Sequence, residues 1–151
     1  RDRLRSRGLG DVYKRQGLCW RMDSVQSYFK FNMDMLDTQI RHRLFTAELP
    51  VYTKVRDEMP ARYGDNVTVV NSLVADGCII EGTVENSVLA RGVRIAPGAH
   101  VKNCIIMQDG QVHNDASIEN CILDKQTVIK RSARLIGPAA YPIVIAKNVV
   151  I

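Results

Sequence analysis

The stretch VKNCIIM, residues 101–107, decides the fold. Asn103-Cys104 stands directly before two isoleucines, and nearly the same phrase recurs as NSLV from Asn71, NSVL from Asn86 and NCIL from Asn120. Recurrence at a near-constant step marks an architecture in which each repeat buries its apolar face on its neighbours. Rows that start at Val74, Leu89, Ile106 and Leu123 are 15, 17 and 17 residues apart. Six positions into each row stand Ile80, Ile95, Val112 and Ile129, and the third aliphatics are Val84, Val101, Ile118 and Leu135. Gly77, Gly82, Gly92, Pro97-Gly98 and Asn114-Asp115 fall between them.

A six-residue aliphatic step does not fit a helix, whose faces recur at about 3.6 residues. Three short strands per row, each ended by Gly, Pro, Asn or Asp, fit a triangular coil instead. Rows then stack at the strand spacing of about 4.8 Å, with backbone hydrogen bonds running from coil to coil. The expected fold is mainly β, a parallel β-helix of hexapeptide type. Asn71, Asn86, Asn103 and Asn120 share one slot, so their amides are expected to stack as a ladder that satisfies the backbone at a corner. The next slot alternates Ser72, Ser87, Cys104 and Cys121, which implies a small side chain at a tight turn.

The pattern breaks at LIGPAAYP, where Gly137-Pro138 replaces the next pair, and IVIAKNVVI restores it with Ile145 and Ile151 six apart. A last coil without a cap exposes strand edges, so either a few residues are expected beyond it or a partner covers it.

Upstream of the repeat, DSVQSYFKFNMDML (23–36) reads as a helix with Asp23 as N-cap and Gln26 three residues on. Val25, Tyr28, Phe29, Met33 and Leu36 form its apolar stripe. ELPVYTKVRDEMPARYGDN (48–66), with Pro50, Pro60 and Gly64, reads as an extended connector. The expected organisation is therefore 1–16 set aside, 17–47 the end of a larger domain, 48–66 connector and 67–151 β-helix.

Composition narrows the function. The chain has 151 residues and a net charge of +5. Residues 1–16 hold six basic and two acidic residues, which leaves 15 basic against 14 acidic in the rest. Such a near-neutral body has no basic face with which to neutralise nucleic-acid phosphates. That first segment resembles a translated adaptor or assembly artefact and is left out of fold reasoning, with the natural N-terminus expected elsewhere. No apolar run approaches the roughly 20 residues of a membrane-spanning helix. Cys19, Cys78, Cys104 and Cys121 form no C-x-x-C pair, so they are expected as free structural thiols in a reducing compartment.

DSVQSYFKFNMDML, PVYTKVRDEMPARY and VADGCIIEGTVENSVLARGVRI running into VKNCIIMQ together resemble the C-terminal part of bacterial glucose-1-phosphate adenylyltransferase (ADP-glucose pyrophosphorylase). The DSVQSY helix start looks most like its GlgD-type regulatory subunit. The resemblance covers about residues 18–151. It implies a left-handed β-helix, an exception to the usual right-handed parallel crossover, preceded by a helix left over from a truncated α/β nucleotidyltransferase domain. That domain is expected upstream of residue 17, with the nucleotide loop and the acids that use Mg²⁺ and ATP. The segment in hand is thus expected to hold no catalytic residue, metal site or cofactor of its own.

The resemblance also implies cytoplasmic placement, glycogen synthesis, and a hetero-oligomer, expected as a tetramer, with a catalytic pyrophosphorylase subunit. The family's activator lysines match Lys125 in ILDKQTVI and Lys147 in VIAKNVVI, where an ammonium group would hold an anionic sugar phosphate or phosphoglycerate. SIENCIL puts Glu119-Asn120 where some activated members carry an arginine, which argues against strong activation by fructose bisphosphate. The rival function is a hexapeptide-repeat acyltransferase with a histidine base. His100 and His113 occupy different repeat slots, and two coil histidines cannot supply the three zinc ligands of a β-helix carbonic anhydrase.

Overall fold

The computed structural model describes residues 21–45, 51–52 and 57–151. Its body is a parallel β-helix of three five-stranded sheets. Sheet A contains β1 (Arg62–Tyr63), β4 (Ile79–Ile80), β7 (Arg94–Ile95), β10 (Gln111–Val112) and β13 (Val128–Ile129). Sheet B contains β2 (Thr68–Val70), β5 (Thr83–Glu85), β8 (His100–Lys102), β11 (Ser117–Glu119) and β14 (Arg134–Ile136). Sheet C contains β3 (Leu73–Val74), β6 (Val88–Leu89), β9 (Ile105–Ile106), β12 (Cys121–Leu123) and β15 (Ile143–Ile145). The chain visits A, B and C in turn, and each strand pairs only with its counterparts in the coils above and below.

The aliphatic rows become columns. Val74, Leu89, Ile106, Leu123 and Ile145 stand in register in sheet C, and Ile80, Ile95, Val112 and Ile129 in sheet A. Val84, Val101, Ile118 and Leu135 do so in sheet B. Ten of the twelve positions expected in the interior are buried; Val74 and Leu135, in the outermost strands, are half-buried. Removing such a Val, Leu or Ile side chain from water contributes roughly 1.5–3 kcal/mol.

What lets the chain turn is a left-handed residue at most corners; the one between β4 and β5, at Glu81-Gly82, turns without one. Asn71, Asn86, Asn103 and Asn120 have φ between 44° and 53°. The corner between sheets C and A uses Gly77, Gly92, Asp109, Gln126 and Asn148, and the corner between A and B uses Gly98, Asp115 and Ser132. This conformation costs an ordinary L-residue roughly 1–2 kcal/mol, and Asn and Asp tolerate it best after Gly. The expected ladder is present in part. Asn71 Nδ2 donates to Asn86 Oδ1 at 2.8 Å, Asn103 Nδ2 to Asn120 Oδ1 at 3.3 Å, and Asn120 Nδ2 to the Gly137 carbonyl at 2.9 Å. Gly137 thus continues the column by its backbone, and residues 138–142 form an excursion before β15 resumes the coil.

The Ser/Cys slot is a second ladder. Ser72 and Ser87 Oγ donate to the Val70 and Glu85 carbonyls, and Cys104 and Cys121 Sγ to those of Lys102 and Glu119. Ser72 Oγ accepts the Ser87 N–H and Ser87 Oγ accepts the Cys104 N–H, both at 3.1 Å. Each small side chain therefore serves two coils. Cys78, Cys104 and Cys121 are free and buried; Cys19 lies outside the described residues. Burial pushes the Cys78 and Cys104 thiols above their ordinary pKa.

Among the described residues two short helices precede the β-helix: α1 (Val25–Asp34) and α2 (Thr38–Leu44). The cap of α1 sits one residue later than the sequence suggests. Ser24 is the N-cap and Ser27 its reciprocal partner, because the Ser24 and Ser27 hydroxyls each reach the other's backbone N–H. Asp23 is left to pair with Arg21 at 3.0 Å. The chain then breaks after Asp34, and Asp37 caps α2 by accepting the Gln39 N–H. Strand β1 begins inside the expected connector, since Arg62–Tyr63 pairs with Ile79–Ile80. None of the described helices is long and apolar enough to cross a membrane.

Sheet C differs from the others in its outer face. Leu73, Val88, Ile105, Ile122 and Val144 form an outward aliphatic column in register. Ile105 and Ile122 are only 3% and 4% exposed, whereas Val144 is 51% exposed. Val25 and Tyr28 of α1 line one gap with Ile122 and Val144, so the first turn of the helix lies beside this face, while Phe29, Met33 and Leu36 of its stripe line a groove at the asparagine corner. The two isoleucines after Asn103-Cys104 thereby separate: Ile106 points into the prism and Ile105 outward.

Two expectations follow. Asn103→Ala should lower the unfolding free energy by about 1–2 kcal/mol, and Asn103→Gly by less, because glycine adopts positive φ without strain; urea titration of both compares them. Alkylation at about pH 8, mapped by peptide mass, should leave Cys78, Cys104 and Cys121 unmodified in the folded protein and modify all three in denaturant.

Candidate functional site

The corner between sheets C and A carries the strongest charge feature. The residue before the left-handed position is Asp76 in the first coil and then Arg91, Gln108, Lys125 and Lys147 in successive coils, all exposed or half-buried. Backbone bonds fix their stacking. Asp109 N–H donates to the Arg91 carbonyl at 3.1 Å, Gln126 N–H to that of Gln108 at 2.9 Å, and Asn148 N–H to that of Lys125 at 3.0 Å. Lys125 and Lys147 are therefore neighbours on adjacent coils, roughly 4.8 Å apart along the stack.

Arg91, Lys125 and Lys147 line one groove of about 280 Å³, with Gln108, Gln126 and Asp109. Three cations and one carboxylate share it, and none of the three cations makes an ion pair with a described residue. Like charges so close repel, and a bound anion would relieve that repulsion. The glutamines add neutral donors and acceptors between them. Thr127, next in sequence to Gln126, is fully buried and donates its hydroxyl to the Asp124 carbonyl at 2.6 Å.

Both lysines singled out in the sequence are thus brought to one groove, together with Arg91, which the sequence reading missed. Counting back from Lys125 in steps of 17 reaches Gln108 and then Arg91, so the repeat itself carried the signal. Glu119 lies instead on the outer face of sheet B, 4.0 Å from Lys102. A larger cleft of about 680 Å³ lies between residues 57–60 and sheet A. Its charges are of both signs, with Asp57 and Glu58 facing Arg62 and Arg94, and it has no comparable excess.

The histidines are kept apart. His100 is exposed on sheet B between Thr83 and Ser117, and His113 is exposed just after β10 in sheet A. Among the described residues no group of three or more His, Cys, Asp or Glu side chains could hold a metal ion.

Over 138 residues, 91% of the chain, the sequence is 41% identical to the glycogen biosynthesis protein GlgD of Bacillus subtilis (strain 168) and spans 40% of that protein. It is 51% identical over 70 residues, 46% of the chain, to the glycogen biosynthesis protein GlgD of Geobacillus stearothermophilus, spanning 20% of it. It is also 32% identical over 125 residues, 82% of the chain, to the glucose-1-phosphate adenylyltransferase of Acetivibrio thermocellus, of which it spans 29%. The chain therefore spans well under half the length of these relatives. Residues 57–139, which run from the middle of the expected connector through β14, match the family described as GlmU-like, C-terminal hexapeptide. With that pattern over more than half of its length, the chain belongs to the GlmU-like C-terminal hexapeptide family.

Proposed function

We propose that this β-helix is the assembly and effector-binding part of a glucose-1-phosphate adenylyltransferase subunit of regulatory type, acting in glycogen biosynthesis in the cytoplasm. The parent reaction is ATP plus glucose-1-phosphate giving ADP-glucose and pyrophosphate. Its partner is a catalytic pyrophosphorylase subunit, in a hetero-oligomer read as a tetramer. Likeness to proteins of both names over most of the chain supports the reading. The observation that carries its regulatory half is the groove lined by Arg91, Lys125 and Lys147.

The ligand is an anionic sugar phosphate or phosphoglycerate. Lys125 and Lys147 act as point charges on its phosphate, and Arg91 offers a planar fork that suits a carboxylate or phosphate edge. Nucleotide transfer and its Mg²⁺ belong to residues outside this segment, so no catalytic step is assigned to it.

The full chain, mixed with a catalytic pyrophosphorylase subunit, should co-elute with it and change its rate or effector response. 3-Phosphoglycerate should bind with millimolar or tighter affinity, and Lys125→Gln and Lys147→Gln should each weaken it about fivefold. The affinity should fall as salt is raised from about 0.05 to 0.5 M. Failure to associate would sink the assembly half of the proposal. Unchanged affinity in both lysine variants would sink the effector half.

A further inference from the structure

Helices α1 and α2 leave a groove of about 510 Å³ between themselves and the asparagine corner. One wall carries Phe29, Asp34 and Asp37, and the other the stacked amides, including Asn86 and Asn103. None of the described residues lining it is basic.

The ladder in this wall is interrupted. Asn71 bonds Asn86 and Asn103 bonds Asn120, but no hydrogen bond joins Asn86 to Asn103. The Asn86 amide hydrogens and the Asn103 carbonyl oxygen therefore make no hydrogen bond within the described protein and remain available in the groove. Asp34 adds a carboxylate with no hydrogen-bond partner among the described residues, and only one oxygen of Asp37 is engaged, by the Gln39 N–H. Asn86 and Asn103 are half-buried, as is Phe29.

We infer that this groove binds a short linear oligosaccharide, a site independent of the cationic groove. Sugar hydroxyls donate and accept, and the wall offers both in side-chain amides, with carboxylates as further acceptors. The C–H face of a pyranose ring suits the face of Phe29, whose ring presents a broad apolar surface. Two carboxylates and no cation disfavour a phosphorylated ligand. Asn86 and Asn103, about 4.8 Å apart along the stack, offer a donor and an acceptor side by side to adjoining hydroxyls of a linear chain.

The test is titration of the ¹⁵N-labelled full chain with maltotetraose and, separately, cellotetraose. The Asn86 and Asn103 side-chain amide resonances should shift with at least one of them, at millimolar affinity. Asn86→Gly removes the amide and keeps the left-handed backbone; Phe29→Leu removes the ring and keeps an apolar contact. Each should weaken binding about fivefold, the loss of roughly one hydrogen bond or one stacking contact, with thermal unfolding of the two variants followed alongside. Response to only one saccharide identifies the linkage the groove accepts. Absence of a shift with both at millimolar concentration overturns the inference, as does affinity that both variants leave unchanged.

Discussion

The fold depends on backbone that turns through the left-handed region at most of its corners, three times in each of the two full coils between Leu89 and Leu123. Among the described residues nine non-glycine residues and three glycines have positive φ, and all of them lie at corners. Aliphatic columns supply the driving force for stacking, but they do not bend the chain. Asn, Asp and Gly carry most of the corners because they bear this conformation at least cost. Where Gln126 and Ser132 take such positions, the coil-to-coil bonds from their N–H groups, at 2.9 and 3.0 Å, hold them there. A substitution at a corner is therefore judged first by its φ and only then by its contacts.

Much of this was legible in the sequence, for reasons that differ between elements. The twelve aliphatic positions were readable because a stacked column demands the same residue class at the same offset in every coil. The Asn slot was readable as a ladder, yet its more general cause is backbone conformation, which a single Asn does not announce. The cap of α1 was misplaced by one residue because Asp23 and Ser24 both suit an N-cap, and Ser27 resolves the choice by closing the reciprocal pair. Strand β1 lay hidden in a proline-bearing segment, since two residues are too few for a pattern and only pairing with Ile79–Ile80 defines it. Helix α2 was not anticipated at all. Its stripe is short, and its start depends on Asp37, whose capping role appears only in the geometry.

The candidate sites follow the same logic. Sheet residues are committed, one face to the prism and the backbone to neighbouring coils, but at the corner between sheets C and A the residue before the left-handed position makes no side-chain hydrogen bond or ion pair with a described residue in four successive coils. Its side chain is free to vary, and at one corner it is Arg91, Gln108, Lys125 and Lys147. Lys125 and Lys147 could be singled out through resemblance, whereas Arg91 required the corner to be treated as a column. The groove beside the asparagines was not visible from the sequence, because its second wall comes from α1 and α2, far from the repeat along the chain.

The outward aliphatic column of sheet C has a consequence for folding fidelity. In β5, β7, β8, β10 and β11 of sheets A and B a displacement that brings the preceding residue inward would present Thr83, Arg94, His100, Gln111 or Ser117 to the interior, and that penalty protects the register. In sheet C a displaced strand would offer Ile105 in place of Ile106, or Ile122 in place of Leu123, with almost no change in hydrophobicity. Alignment there must be enforced from outside the strand, by the asparagine and the Ser/Cys hydroxyl or thiol that precede it. These corner groups act as the indexing marks of a sheet whose own residues cannot tell one register from the next.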